Sequence, residues 1–282
     1  MLVARYVGGV IAISIVLSGC TVARVANAWA QSKSAFIRCT SDPRIMCEPG
    51  SETLAHSIVH LLPNAIASVE NAQFSTFSQP IKIYTYATRE SFSAHSGESL
   101  DAAGAVSLGR LNLSPKLLAT PERTEATLIH ELSHLNLQLR MGSLAWARLP
   151  SWFHEGLATL VSNGGGAETV STDAAADALS HGRRFEPEDF AWVIFPKNAT
   201  SYGLTPHMYY RQASMFVGFM RKSDPDAFTK MLISIEENVS FSKAIQLTYR
   251  ENLSSVWLRF LSQSKLTLHS RELPSAAAEL QR

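Results

Sequence analysis

The interpretation of this sequence starts from residues 127–135, Thr-Leu-Ile-His-Glu-Leu-Ser-His-Leu, which contain the pattern His-Glu-x-x-His. Apolar residues recur at helical spacing and neither Gly nor Pro occurs, so the sequence predicts a helix over Glu122–Met141. Positions i and i+4 share one face of a helix, so His130 and His134 can bind the same metal ion. Glu131 lies about 100° round the helix from His130. It can therefore flank the ion and take a proton from an attacking water.

A catalytic zinc site needs a third protein ligand and an open position for water. Residues 150–158, Pro-Ser-Trp-Phe-His-Glu-Gly-Leu-Ala, predict a second helix over Ser151–Ser162 that supplies it. Two neighbours in that helix, His154 and Glu155, compete for the ligand role. Adjacent helical residues diverge by about 100°, so only one of them can face the ion. The residues by themselves leave this choice open.

Taken together, the two motifs resemble those of the gluzincin zinc metallopeptidases. Within that group, the motifs are most similar to those of the bacterial peptidase-MA-like proteins. The resemblance implies an α+β fold: a small N-terminal β-sheet with an edge strand beside the cleft, followed by a mostly helical C-terminal part. It implies one Zn²⁺ per chain held by His130, His134 and Glu155, with Glu131 as the general base. A peptide or protein is the substrate that this resemblance implies.

A further part of the resemblance lies in residues 206–220, Pro-His-Met-Tyr-Tyr-Arg-Gln-Ala-Ser-Met-Phe-Val-Gly-Phe-Met. Peptidase-MA-like proteins carry a helix of the form Tyr-x-Gln-small-small-x-Phe-Val after the zinc helices. In aminopeptidase relatives a Tyr of the corresponding helix donates its hydroxyl to the oxyanion, a task that suits a neutral phenol. Tyr210 fits this pattern best and Tyr209 second, while His207 is an alternative donor.

The sequence departs from this family of enzymes at two places. Thermolysin-like enzymes carry an Asp four residues after the third ligand, as the partner of a zinc histidine, whereas this chain has Thr159. The segment 104–107, Gly-Ala-Val-Ser, lacks the acidic group with which aminopeptidases hold a free N-terminus. An endopeptidase, or a specialised processing enzyme, is therefore favoured over an aminopeptidase.

Residues 1–19 are predicted to be a targeting segment rather than part of the fold. The apolar run Val7–Leu17 is too short to span a bilayer comfortably. It leads into Leu-Ser-Gly-Cys, which resembles a bacterial lipobox and implies cleavage before Cys20 and a lipid on that residue. Thr21, rather than Asp, resembles outer-membrane lipoproteins that face the periplasm of Gram-negative bacteria. An ordinary secretory signal is the alternative.

The remaining cysteines, Cys39 and Cys47, suit a disulfide because an exported chain meets an oxidising compartment. We expect a tether and this small loop over residues 20–50, a metallopeptidase domain over 51–265 and a tail over 266–282. The composition is 46% hydrophobic, which is typical of a globular protein. A formal net charge of +1 gives no indication of a nucleic-acid partner.

The coarse pattern before the first motif predicts helix and strand in turn. Ser51–Ser68 is predicted to be a helix interrupted by Pro63, and Pro80–Ala87 a strand. Two short strands are expected around Gly109, and the family analogy puts the segment Gly104–Leu108 at the sheet edge beside the metal. Two other functions fit the same motifs: a catalytically silent binding or scaffold lipoprotein, and a zinc hydrolase of a non-peptide amide.

Overall fold

The computed structural model describes residues 28, 30–191 and 196–272. The predicted targeting segment, the lipid site Cys20 and residues 273–282 of the predicted tail lie outside this part of the chain. Within it the fold is α+β, with a small four-stranded sheet followed by a mostly helical remainder. The coarse fold class predicted from the sequence is therefore confirmed.

The sheet comprises β1 (Ile45–Cys47), β2 (Ile83–Thr85), β3 (Gly104–Ser107) and β4 (Arg110–Leu113), in the order β1-β2-β4-β3. β1 pairs with β2 and β2 with β4 in parallel, whereas β3 pairs with β4 antiparallel. β3 therefore lies at an edge. β2 is shorter than the predicted strand because only three of its residues pair with residues of β1 and β4.

The turn between β3 and β4 is confirmed at Gly109. Leu108 has φ 53° and Gly109 has φ 68°, so two consecutive residues adopt the left-handed conformation. This is the backbone twist of a tight two-residue hairpin turn, which joins two strands without splaying them. Next to the sheet, the disulfide between Cys39 and Cys47 links the preceding loop to the end of β1.

Helix α1 (Glu52–Gln73) runs through Pro63, so the predicted interruption was wrong. A proline inside a helix costs about 3 kcal/mol, mainly through a lost hydrogen bond and a steric clash. Pro63 itself is exposed, whereas apolar residues on the opposite face are fully buried: Leu54, Ile58, Leu62, Ala65 and Val69. Burial of each large aliphatic side chain contributes about 1.5–3 kcal/mol, which outweighs the cost of the proline.

The chain divides into two compact units. The first is formed by the residues up to 70 together with 76–139. It contains the sheet, α2 (Arg89–Ser96) and nearly all of α3 (Thr124–Met141), which carries the His-Glu-x-x-His pattern. Thr88 caps the N-terminus of α2, where its side chain accepts the Ser91 N–H, and Gly97 caps the C-terminus.

The second unit, residues 71–75 and those from 140 onwards, is helical in its described part. Its helices are α4 (Ser143–Trp146), α5 (Ser151–Val161), α6 (Thr172–Ser180), α7 (Pro206–Ser223), α8 (Pro225–Glu236), α9 (Phe241–Tyr249) and α10 (Leu253–Glu272). α10 continues past Leu266, where the sequence analysis placed the start of the tail. No helix in the described ranges is both long and apolar enough to cross a membrane.

Helices α5 and α7 pack closely because α5 carries a glycine at the contact. A Cβ on Gly156 would lie only 2.7 Å from the backbone of Ala213, a distance that real side chains do not adopt. The unit also buries an aromatic core in which each ring centroid lies within about 6 Å of at least one other: Trp152, Phe153, Phe185, Phe216, Phe241, Trp257 and Phe260. Rigid packing of this kind fixes the direction of the side chains on α5 and α7.

Candidate active site

Two imidazoles on α3 converge as the helical spacing predicts. The Nε2 atoms of His130 and His134 lie 3.1 Å apart, and their ring planes meet at 79°. Both side chains are buried, each residue being 6% exposed. The α-helix begins at Thr124, two residues later than predicted, because a 3₁₀ turn over Pro121–Arg123 precedes it.

The orientation of α3 follows from its apolar residues. Leu128, Leu132 and Leu135 are all fully buried. Every residue from 132 to 139 is buried, so this part of the helix is covered on all sides. A helix enclosed in this way holds its polar side chains in fixed directions, which is the preorganisation that a metal site needs.

Glu131 lies against the first residue of the edge strand. A Cβ on Gly104 would come within 2.6 Å of Glu131 Cγ and 3.1 Å of Glu131 Oε1. Unlike the two histidines, Glu131 is partly exposed to solvent. The family analogy expected this segment beside the site, and the structure brings β3 and Glu131 into contact.

The other end of the β3–β4 hairpin is also attached to α3. The Gly109 N–H donates to Gln138 Oε1 at 2.6 Å, and a Cβ on Gly109 would lie 3.1 Å from Leu139 Cδ2. The hairpin is thus held along α3 at both ends. Sequence reasoning missed Gln138, although a buried glutamine in a run of leucines is a signal of a structural hydrogen bond.

On α5, the neighbours His154 and Glu155 have different surroundings. The His154 ring packs on the Trp146 indole, with centroids 5.1 Å apart. His154 Nδ1 lies 3.7 Å from Glu155 Oε1. Both residues are partly buried. The contact with Trp146 holds the His154 imidazole against an aromatic surface.

The three residues His130, His134 and Glu155 form a group that could hold a metal ion. Their candidate ligand atoms all lie within 4.8 Å of one another. The donor set of two imidazoles and one carboxylate is a common one for catalytic zinc. Two Zn–N bonds of about 2.0–2.1 Å at a tetrahedral angle hold the nitrogens roughly 3.3 Å apart. The observed Nε2–Nε2 distance of 3.1 Å fits this requirement.

The two candidate tyrosines on α7 are placed differently. Tyr209 is 2% exposed and forms a side-chain hydrogen bond with Ser151. Burial raises the pKa of Tyr209 far above its ordinary value, so its hydroxyl keeps its proton. Tyr210 is only partly buried, which leaves part of it open to solvent. His207 accepts the Thr169 N–H at its Nδ1 and is thereby engaged in holding the loop before α6.

Thr159 marks the departure from the thermolysin-like pattern. It is 1% exposed, and its hydroxyl oxygen has no hydrogen-bond partner among the described residues. Threonine has no carboxylate, so Thr159 does not supply the group that orients a zinc histidine in those enzymes. No protein-family profile matches the sequence, and no curated protein is significantly similar to it.

Proposed function

We propose that this protein is a zinc-dependent metallopeptidase that hydrolyses peptide bonds. The observation that carries the proposal is the group of His130, His134 and Glu155, two imidazoles and one carboxylate with ligand atoms close enough to share one ion. Two nitrogens and one carboxylate suit zinc better than magnesium or calcium, which prefer sites built from oxygen alone. When bound, zinc supplies a Lewis acid that makes water and a polarised carbonyl reactive at neutral pH.

Glu131 supports the proposal as the general base. It is fixed on α3 next to His130, and it is held against Gly104 rather than among the candidate ligands. In the proposed reaction its carboxylate takes a proton from the attacking water and then delivers it to the leaving amine nitrogen. The Tyr210 hydroxyl donates a hydrogen bond to the oxyanion that develops on the scissile carbonyl.

The edge strand β3 supports an extended peptide as the substrate. In the described residues β3 pairs with β4 alone, so one side of its backbone has no partner strand. An extended peptide that adds to this edge forms main-chain hydrogen bonds regardless of its sequence. Since β3 begins against Glu131, such a peptide passes beside the proposed base.

The experiment is digestion of a broad peptide library by the zinc-loaded protein, with Glu131→Gln as the matched variant. Glutamine keeps the shape of the side chain but cannot accept the proton, so hydrolysis should fall about 10²–10⁴-fold. Zinc content and melting temperature should stay near those of wild type. Full turnover by Glu131→Gln contradicts this mechanism. Zinc binding without cleavage of any peptide points to a binding protein or to a non-peptide amide substrate.

We also propose that a lipid on Cys20 anchors the chain in a bacterial cell envelope, at the outer membrane in a Gram-negative cell. The support is the lipobox-like sequence before Cys20. The mature protein extracted from membranes should begin at Cys20 and exceed the mass of the bare chain by its lipid. Cys20→Ser should release the protein or leave its signal uncleaved. An unmodified Cys20 in the wild-type intact mass contradicts the anchor.

A further inference from the structure

A row of three basic residues crosses the sheet of the first unit. Arg44 and Lys82 directly precede β1 and β2, and Arg110 is the first residue of β4. The Arg44 carbonyl accepts the Ile83 N–H, and the Lys82 carbonyl accepts the Leu111 N–H, each at 2.9 Å. The three basic residues are therefore neighbours on adjacent strands, which lie about 4.8 Å apart in a sheet.

The row lies on the outer face of the sheet, the side that points away from the core of the unit. The residue that follows each member of the row is fully buried: Ile45, Ile83 and Leu111. Successive residues of a strand point to opposite faces, so the row points outward. Lys82 is exposed, and Arg44 and Arg110 are partly exposed. Arg110 Cζ lies 6.0 Å from the ring centre of Tyr84, which shares the outer face.

The amine of Lys33 adds a fourth positive charge to this face. Lys33 Nζ lies 4.8 Å from the ring centre of Tyr84 and donates to the Tyr86 hydroxyl at 2.6 Å. Burial and then the nearby Arg110 guanidinium lower the pKa of Lys33 to about 8, and the Glu48 carboxylate opposes them. Most of the amine is therefore still protonated at pH 7.

A carboxylate balances only one residue of the row. Arg44 is paired with Asp42, with 2.5 Å between Arg44 Nη2 and Asp42 Oδ2. Lys82 and Arg110 form no salt bridge with any described residue. Like charges opposite each other on neighbouring strands are destabilising, so this adjacent pair does not stabilise the sheet. An anionic partner on the outer face offsets their repulsion.

We infer that the outer face of this sheet docks on a bilayer that contains anionic phospholipid. The inference rests on the proposed lipid at Cys20, because that lipid tethers this face to the membrane. The thirteen chain steps from Cys20 to Lys33 reach at most about 45 Å when fully extended. A tether of this length gives the basic face a high effective concentration at the bilayer. A polybasic patch is a common second signal beside a lipid chain.

The test places the mature protein, purified from membranes, in vesicles of phosphatidylcholine alone or of equal parts phosphatidylcholine and phosphatidylglycerol. Limited acetylation of the lysines, followed by peptide mass spectrometry, reports which surface is covered. Lys82 should react several-fold more slowly in the anionic vesicles. Lys230, exposed on α8 in the second unit, is the reference and should react equally in both. The protection of Lys82 should disappear at about 1 M salt, where the Debye length is only about 3 Å.

Two variants of equal net charge test whether the row itself makes the contact. Arg110→Gln removes one charge of the row, and Lys243→Gln removes one exposed charge from α9. Lys82 should lose most of its protection in Arg110→Gln, because each basic residue near an anionic surface strengthens binding about fivefold. The protection should persist in Lys243→Gln. Unaltered circular dichroism spectra and melting temperatures establish that both variants are folded.

The docking inference is overturned if wild-type Lys82 reacts equally fast in the two kinds of vesicle, which leaves an acidic protein as the partner of the row. It is also overturned if Lys230 is protected to the same extent as Lys82. Failure of the lipid anchor is a separate result, since a protein without the lipid does not float with phosphatidylcholine vesicles. Docking is then read from the same protection of Lys82 in the anionic vesicles.

Discussion

Helices α3 and α7 each carry a pair of candidate functional residues, and the two pairs are determined in different ways. His130 and His134 are four apart, both are 6% exposed, and their Nε2 atoms meet. Tyr209 and Tyr210 are adjacent, so one is buried against Ser151 while the other is partly open to solvent. Helical period alone unites the first pair, whereas packing separates the second. Two helical residues four apart are thus predicted to share a face from the sequence alone. The different surroundings of two adjacent identical residues are not predicted in this way.

Substitution of the two tyrosines by phenylalanine tests whether packing has assigned them different roles. Tyr210→Phe should lower peptide hydrolysis about 10²–10³-fold at unchanged melting temperature, because it removes the donor to the oxyanion. Tyr209→Phe should keep activity but lower the free energy of unfolding by about 1 kcal/mol, because it removes the hydrogen bond with Ser151. Both quantities are measured by peptide cleavage and thermal denaturation. The opposite pattern would assign the oxyanion role to Tyr209.

A smaller effect is expected where β3 contacts α3. Gly104→Ala adds a methyl group 2.6 Å from Glu131 Cγ, so the carboxylate must turn away from its position. Peptide hydrolysis should fall about tenfold through a lower kcat, because misplacement of a catalytic group by about 1 Å can be costly. The zinc content should be retained. Gly218→Ala on α7 is the matched control, since its added Cβ meets its nearest neighbour at an ordinary 3.5 Å. Equal activity of the two variants would show that the position of Glu131 does not depend on the glycine at 104.

The difference between the helices also shows how far the sequence could go. Local spacing predicted α3, the convergence of His130 and His134, and the hairpin around Gly109. It failed at Pro63, because tertiary burial of the opposite face of α1 outweighs one lost helical hydrogen bond. It also missed Gln138, whose partner Gly109 lies 29 residues away, and no local pattern encodes such a pairing.

The choice between His154 and Glu155 illustrates the same limit. Helical geometry shows that only one neighbour can face the ion, but it does not show which. The gluzincin resemblance selected Glu155, and the structure brings Glu155 into the group with the two histidines. The contact between the Trp146 indole and the His154 ring could not be predicted from the motif itself. The resemblance to the peptidase family remains a proposal that rests on the ligand group and the two motifs.

The most direct measurement of the central claim is zinc content and affinity in wild type, Glu155→Gln and His154→Gln. The account predicts about one zinc per chain in wild type and in His154→Gln. Glu155→Gln should bind zinc more than about 100-fold more weakly, because a lost ligand costs more than a lost partner of a ligand. Wild-type protein that takes up no zinc from micromolar solution would contradict the account. So would a chain in which His154→Gln, and not Glu155→Gln, loses the metal.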